Sequence, residues 1–297
     1  MSSRNSGWTS APAALLLAFL GACAPNDSPS NETLDPRGLW HTNDPDSTLT
    51  IDHSAWDEFL KTYVTVNPDG VNRVDYESVS QEHKDKLDQY IKYLGSIEIS
   101  KYNRDEQIAF WMNLYSAGIV KIVLESWPVD SILQIRGPGI NVVGPWLQPV
   151  ARIEGKRVSF NDIEHNILRP AFNDMGPKIH YGINCASITC PSLMPSAHTA
   201  ANWRENLEAN ARQYLRSGEA AREENGGLFV SKIYFSWFQD DFGGTDAAVF
   251  QHLKQYASPE LAEMLDGHEA IAGDFYDWRV NKPDAAMSRA GRRSEIE

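Results

Sequence analysis

Between Asn103 and Trp127 the chain places Ile108, Phe110, Trp111, Leu114, Ile119, Val120, Val123 and Leu124 in one run of helix length, and they fall on nearly every side of a 3.6-residue spiral. A helix that is apolar all round has no face to offer to water, so the rest of the domain must wrap it. The run carries its own start signal, Asn103 followed by Glu106 in a capping-box spacing, and Pro128 stops it. Whatever else the chain forms has to supply apolar faces that cover this rod.

The flanking sequence supplies them. Asp52 precedes Trp56, Phe59, Leu60 and Tyr63, an amphipathic stripe behind a capping residue, and Leu87, Tyr90, Ile91 and Leu94 repeat the pattern before Gly95. Residues 146–153 and 157–160 flank Glu154-Gly155-Lys156 and predict a hairpin with a glycine turn, after which Asn161 is expected to cap a short helix through Arg169. Ile179, Tyr181 and Ile183 alternate with His180 and Gly182, as in a strand. A helix is expected over 200–215, a strand over 228–230, and helices over 247–256 and 259–265. Most of the tryptophans fall in helix stripes and read as core. The prediction is a helix-rich α+β fold, a single domain over 51–283 with a small mixed or antiparallel sheet, since no second linker or internal repeat interrupts that span.

The ends read differently. Arg4, the uncharged run over 11–19 and Leu20-Gly21-Ala22-Cys23 have the order of a signal peptide over 1–22, and the last four residues resemble a lipobox, with Cys23 the lipidated residue. The apolar run is shorter than the ~20 residues needed to span a bilayer. Residues 23–50, rich in Pro, Ser, Asn and Asp, are expected to form a flexible tether, and 284–297 a disordered tail. Ala24 resembles an outer-membrane sorting residue. The expected setting is therefore the cell envelope, with a membrane partner through the lipid anchor. A formal charge of −13, spread rather than blocked, excludes nucleic acid as an expected partner of the domain.

The densest group of reactive side chains is His180-Tyr-Gly-Ile-Asn184-Cys185-Ala-Ser187-Ile-Thr-Cys190-Pro191. Together with Asp105-Glu106-Gln107 through Asn113-Leu-Tyr115, Ile163-Glu164-His165 through Leu168-Arg169, Ser236-Trp237-Phe238 with Asp241-Phe242, and Tyr276-Asp277-Trp278 with Asn281, it resembles the family called domain of unknown function 547, over roughly residues 74–281. The resembling motif includes His165, His180, Asn184, Cys185 and Cys190. Ser116 stands where that family usually has Asn.

A thiol becomes a nucleophile when its pKa falls, and a base beside it needs an orienting partner. The expected catalytic group is Cys185, with His180 or His165 as base and Asn113, Glu164 or Asp241 orienting it. Both histidines precede Cys185, an order that by analogy alone resembles a circularly permuted papain-like or transglutaminase-like enzyme. In an unbroken strand His180 and Cys185 would point to opposite faces, so their meeting requires a turn near Gly182 or Asn184. Two other readings stand beside this one. Cys185 and Cys190 could close a disulfide in an oxidising compartment, as the staple of a non-enzymatic binding or scaffolding module, or they could join a metal site with His180 and His165. The leading expectation is a thiol hydrolase or transferase acting on a peptide-like or acyl substrate, without cofactor or metal.

Overall fold

The computed structural model describes residues 42–137 and 143–283. The expected signal peptide, Cys23, the first part of the expected tether and the 284–297 tail lie outside the described residues. All the described residues belong to one compact unit spanning 35–297.

Helix α1 (Ser54–Tyr63) and helix α2 (Gln81–Gly95) bury the stripes expected of them, Trp56, Phe59, Leu60 and Tyr63 on the first and Leu87, Tyr90, Ile91 and Leu94 on the second. Between them β1 (Val64–Thr65) and β2 (Arg73–Val74) pair antiparallel. Helix α3 (Arg104–Ser126) is the all-apolar run, and it is buried almost end to end. Its few polar side chains are satisfied as burial demands. Asn103 Oδ1 caps the Glu106 amide at 3.1 Å, but Glu106 does not return the bond as a capping box would; its Oε2 instead accepts from the Ile51 amide at 3.1 Å. Gln107 Nε2 donates to the carbonyls of Ile99 and Thr42, both at 2.9 Å. That bond, and the one from Asn103 Nδ2 to the Ser47 carbonyl at 3.0 Å, hold residues of the 42–50 segment against the start of α3, where the composition had suggested tether.

The predicted hairpin forms as β3 (Pro149–Ile153) and β4 (Lys156–Ser159), with Glu154 and Gly155 both at positive φ, 47° and 82°, in the tight turn. It lies against α3 at Gly118. A Cβ there would sit 2.7 Å from Val150 Cγ1 and 2.9 Å from Phe160 Cε1, so only hydrogen fits between rod and hairpin. The short helix follows as a wide, π-type run over Asp162–Leu168 that tightens into a last turn, α4 (Arg169–Ala171). Asn161 does not cap it. Ser159 and Asp162 do so instead, Ser159 Oγ donating to Asp162 Oδ2 at 2.6 Å and accepting from the Asp162 amide at 3.2 Å.

The largest departure from the sequence reading is at 179–183. That segment is no strand. A 3-10 run covers Asn173–Tyr181, broken at Gly176 (φ 56°), and Gly182 N closes it on the Ile179 carbonyl at 2.9 Å. All five residues of 179–183 are buried, so the apolar–polar alternation marks no solvent-facing edge of a strand. The Tyr181 carbonyl is satisfied by Asn210 Nδ2 at 2.7 Å rather than by a neighbouring strand. Helix α5 (Trp203–Arg216) supplies that asparagine. The remaining elements are β5 (Ala221–Glu224), β6 (Gly227–Ser231), α6 (Asp246–Lys254), α7 (Pro259–Asp266) and β7 (Ile271–Phe275). β6 pairs antiparallel with β5 and parallel with β7, a small mixed sheet in a helix-rich α+β domain.

Filling the contact at Gly118 tests the packing of α3 on the hairpin. Gly118→Val is expected to lower stability by ~1–3 kcal/mol, despite removing a helical glycine, because it overpacks a closed interface. Urea unfolding against the wild-type chain measures it; an unchanged midpoint would contradict the contact.

Candidate active site

A cleft of about 480 Å³ opens beside the Cys185 turn. Its walls come from α3 (Tyr115), the β4 end (Phe160), the wide helical run (Glu164, His165), the 3-10 run (His180), the segment 233–238 and the stretch after β7 (Tyr276, Trp278). Helix, hairpin and C-terminal stretch each give one side, so the site depends on the whole domain.

The turn that carries Cys185 is built by local polar bonds. Asn184 Oδ1 accepts from the Ala186 amide at 2.9 Å, and Asn184 Nδ2 donates to the Pro191 carbonyl at 2.8 Å. Ala186 takes φ 61°, an uncommon left-handed value for a residue with a Cβ, and that bend turns Cys185 back towards Cys190. From outside, the stretch 277–281 braces the turn. Ile188 N donates to the Arg279 carbonyl and Asn281 N to the Ala186 carbonyl, both at 2.9 Å, and Ser187 bridges Val280.

Within this frame both cysteines are free thiols, Cys185 half-buried at the cleft and Cys190 buried behind it. The Cys185 amide donates to Cys190 Sγ at 3.0 Å. Cys185 Sγ lies 3.0 Å from Ser187 Oγ and 3.2 Å from Tyr276 OH, and the two hydroxyls are 3.0 Å apart. Burial by itself raises the Cys185 thiol, but hydrogen bonds offered by Cys190, Ser187 and Tyr276 outweigh it and leave the pKa lowered to about 7. Burial and the neighbouring sulfur push Cys190 the other way, well above the usual thiol value. Tyr276, raised by burial and by Cys185, keeps its proton and remains a donor.

A second chain of polar groups lines the same cleft. Arg169 grips Asp241 with two bonds, Nε to Oδ2 and Nη2 to Oδ1, each 2.7 Å, and Asp241 Oδ2 lies 2.8 Å from His180 Nε2. Burial would raise Asp241, but the hydrogen bonds from His180 and Arg169 hold it well below the usual carboxylate range. An ionised carboxylate can only accept, so the proton sits on His180 Nε2 and the lone pair on Nδ1. Burial pushes the His180 pKa down against the pull of Asp241, which favours this neutral form. Phe238 stacks on the imidazole at 4.4 Å and 24°. His165 Nδ1 faces Arg169 Nη1 at 3.3 Å, and burial together with that cation lowers its pKa.

The expected site residues therefore divide. Cys185, Cys190, His180 and His165 line one cleft, and Asp241 orients His180 from behind. Asn113 is elsewhere: its amide bonds the His198 backbone in both directions, Nδ2 to O at 2.7 Å and N to Oδ1 at 3.1 Å, and it faces a separate small cavity with Ser116. It fixes the approach to α5 and does not orient a base. The cysteine does not touch an imidazole; its side-chain hydrogen bonds go to hydroxyls and the other thiol. Among the described residues no three His, Cys, Asp or Glu side chains gather as metal ligands.

Sequence reasoning offered Glu164 only as a partner that orients the base, and gave no role to Tyr276, Ser187 or the cleft tryptophans. Burial pushes the Glu164 carboxyl up to about 7, with the Cys185 charge adding to the rise, while Tyr115 OH donates to it at 3.2 Å. The Glu-His-Asn spacing was visible, but nothing local said that Glu164 faces a thiol. Trp237 and Trp278 pack with Tyr276 at ring distances of 4.6–5.4 Å, and Trp146 lies 6.1 Å from Trp278. These indoles line the cleft rather than the core, and Trp237 is 38% exposed.

Fold and cleft together define a helix-rich α+β domain with a half-buried thiol in a cleft walled by aromatic rings. Residues 99–215 match the family described as "Protein of unknown function, DUF547". The match takes in the blocks at 105–115, 163–169 and 179–191, while those at 236–242 and 276–281 lie beyond it. No curated protein and no solved structure matches the chain.

The thiol environment is directly measurable. Iodoacetamide is expected to modify Cys185 well before Cys190, with a rate that rises as pH climbs through about 7, because the thiolate is the reacting form. Tyr276→Phe removes a donor to that thiolate and shifts the profile to higher pH. Equal rates at both cysteines, read by peptide mass mapping, would contradict this geometry.

Proposed function

We propose that the chain is an exported lipoprotein of the cell envelope, anchored through Cys23 in the outer membrane, whose domain is a thiol-dependent hydrolase or transferase for acyl or peptide-like substrates. The observation that carries the catalytic part is Cys185, lowered to about 7, on one cleft with His180 and Glu164. A nucleophile that is half ionised near neutrality needs no strong base to start.

The chemistry follows from the protonation states. Cys185 thiolate attacks a carbonyl carbon, a carbon–sulfur bond forms, and the carbonyl π pair moves to oxygen. Glu164, which holds its proton up to about 7, hands it to the leaving alcohol or amine as the scissile bond breaks. The thioester left on Cys185 is then attacked by water or another acceptor. Nδ1 of His180, free because Asp241 fixes the proton on Nε2, takes the acceptor's proton as the carbon–sulfur bond breaks and Cys185 leaves as thiolate, and that proton returns to Glu164 through solvent to reset the site. The walls formed by Trp237, Trp278 and Phe160 suit the apolar part of such a substrate, since burying a methylene is worth ~0.8 kcal/mol.

A panel of activated esters, thioesters and peptides tests the reading. Wild type is expected to release product with an acyl group trapped on Cys185 by mass, Cys185→Ala to abolish both, and Glu164→Gln or His180→Asn to slow turnover ~10²-fold or more. Full activity in Cys185→Ala would end the proposal.

The envelope part rests on the Leu20-Gly21-Ala22-Cys23 motif and on the domain's acidic charge, which fits a soluble head on a lipid tether. In cells fed radiolabelled fatty acid, the wild-type chain should take up label and fractionate with outer membranes. Cys23→Ser should do neither.

A further inference from the structure

The chemistry just proposed uses one thiol of two. Cys190 lies buried at the far end of the six-residue turn that starts at Cys185, 7% exposed, with its sulfur 3.0 Å from the Cys185 amide. The same sulfur lies 3.9 Å from the Ile183 carbonyl, to which the thiol can donate. The turn is already closed by a bond from the Cys190 amide to the Ser187 carbonyl at 3.3 Å, and Ala186 holds the left-handed bend that brings the two ends together. Both residues line the cleft, Cys185 half-buried and Cys190 buried. A structural buried thiol needs no such partner, and a simple cysteine nucleophile needs no second sulfur.

We infer that Cys185 and Cys190 form a dithiol couple that carries out thiol–disulfide exchange with small disulfides admitted to the aromatic cleft. Cys185 thiolate attacks one sulfur of R–S–S–R′, forming the mixed disulfide Cys185–S–S–R, and R′S⁻ leaves and takes a proton from solvent. Cys190 then gives up its proton and attacks the Cys185 sulfur. The intramolecular Cys185–Cys190 bond forms and RS⁻ departs with that proton. The bound disulfide gains two electrons and becomes two thiols, and the protein pair loses two. A dithiol reductant reverses the cycle. The division of labour follows the geometry: the accessible, lower-pKa thiol attacks, and the enclosed, higher-pKa thiol resolves. This activity shares Cys185 with the acyl chemistry but uses neither Glu164 nor His180.

Glutathione disulfide is the probe, and intact mass with peptide mapping after acid quench is the readout, so no acyl substrate enters the test. Wild type should lose two hydrogens, map a Cys185–Cys190 bond, and carry on the order of tenfold less glutathione adduct than Cys190→Ser, which should stop at the Cys185 adduct. Dithiothreitol should restore the wild-type mass. Should Cys190→Ser fail to fold, the wild-type measurement stands by itself. A persistent glutathione adduct on wild type, or two unreacted cysteines, overturns the couple. Glu164→Gln, expected to lose acyl transfer, should retain the exchange, so the two activities fail separately.

Discussion

The rest of the structure answers to the burial of α3. A rod with no polar face removes its own area from water only if other elements close on it, and α2, the β3 strand of the hairpin, the wide helical run and α5 all do so. The cleft is a consequence of this wrapping. Tyr115 on α3, Phe160 at the hairpin end and Glu164 on the wide run after it all lie at the seam where β3–β4 meets the rod. Gly118, three residues beyond Tyr115, lets that seam close tightly. The functional groups are therefore held by the same contacts that bury the core, and little can move there without exposing apolar surface.

On this scaffold, the polar chemistry is decided by competition between desolvation and hydrogen bonding, and it resolves differently at each group. At Asp241 the bonds win, so the carboxylate stays ionised and pins His180 in one tautomer. At Glu164 burial wins, because Tyr115 offers a single donor and Arg169 is already committed to Asp241. At Cys185 donors win again, since the turn brings Ser187 and Cys190 to the sulfur and the stretch after β7 adds the Tyr276 hydroxyl. The same low-polarity cleft thus yields an anion, a neutral acid and a thiolate, according to how many donors the fold brings to each.

What was legible in the sequence follows from what is local. The α1, α2 and α5 stripes, the Asn103 cap and the Glu154-Gly155 turn are set by residues close along the chain, and each forms much as read. Cys185, His180, His165 and Asp241 were visible because reactive side chains cluster in motifs. Less legible were features that depend on distant partners. Glu106 gave its carboxylate to Ile51 instead of closing a capping box, and 179–183 wound up because Asn210 on α5 satisfied a carbonyl that a strand would have paired. Asn113 read as a catalytic orienter only because its partner, the His198 backbone, lies 85 residues away. The cleft tryptophans read as core since a stripe does not say whether its apolar neighbour is protein or empty space.

One electrostatic consequence ties the two thiol chemistries together. Arg169 and Asp241 cancel each other, and His180 is neutral, so the net charge at the cleft is set by Cys185 and Glu164. Each disfavours ionisation of the other if already charged, since the Cys185 charge is itself a cause of the Glu164 rise. A charge on one of the pair therefore favours the neutral form of the other. When the charge is on sulfur, the carboxyl keeps its proton as a ready acid; when it is on Glu164, the sulfur is a thiol. Oxidation of Cys185 to a disulfide with Cys190 removes the sulfur from this exchange, and Glu164 then loses one cause of its raised pKa. The redox state of the turn would in this way bias the protonation of a group on another element through charge.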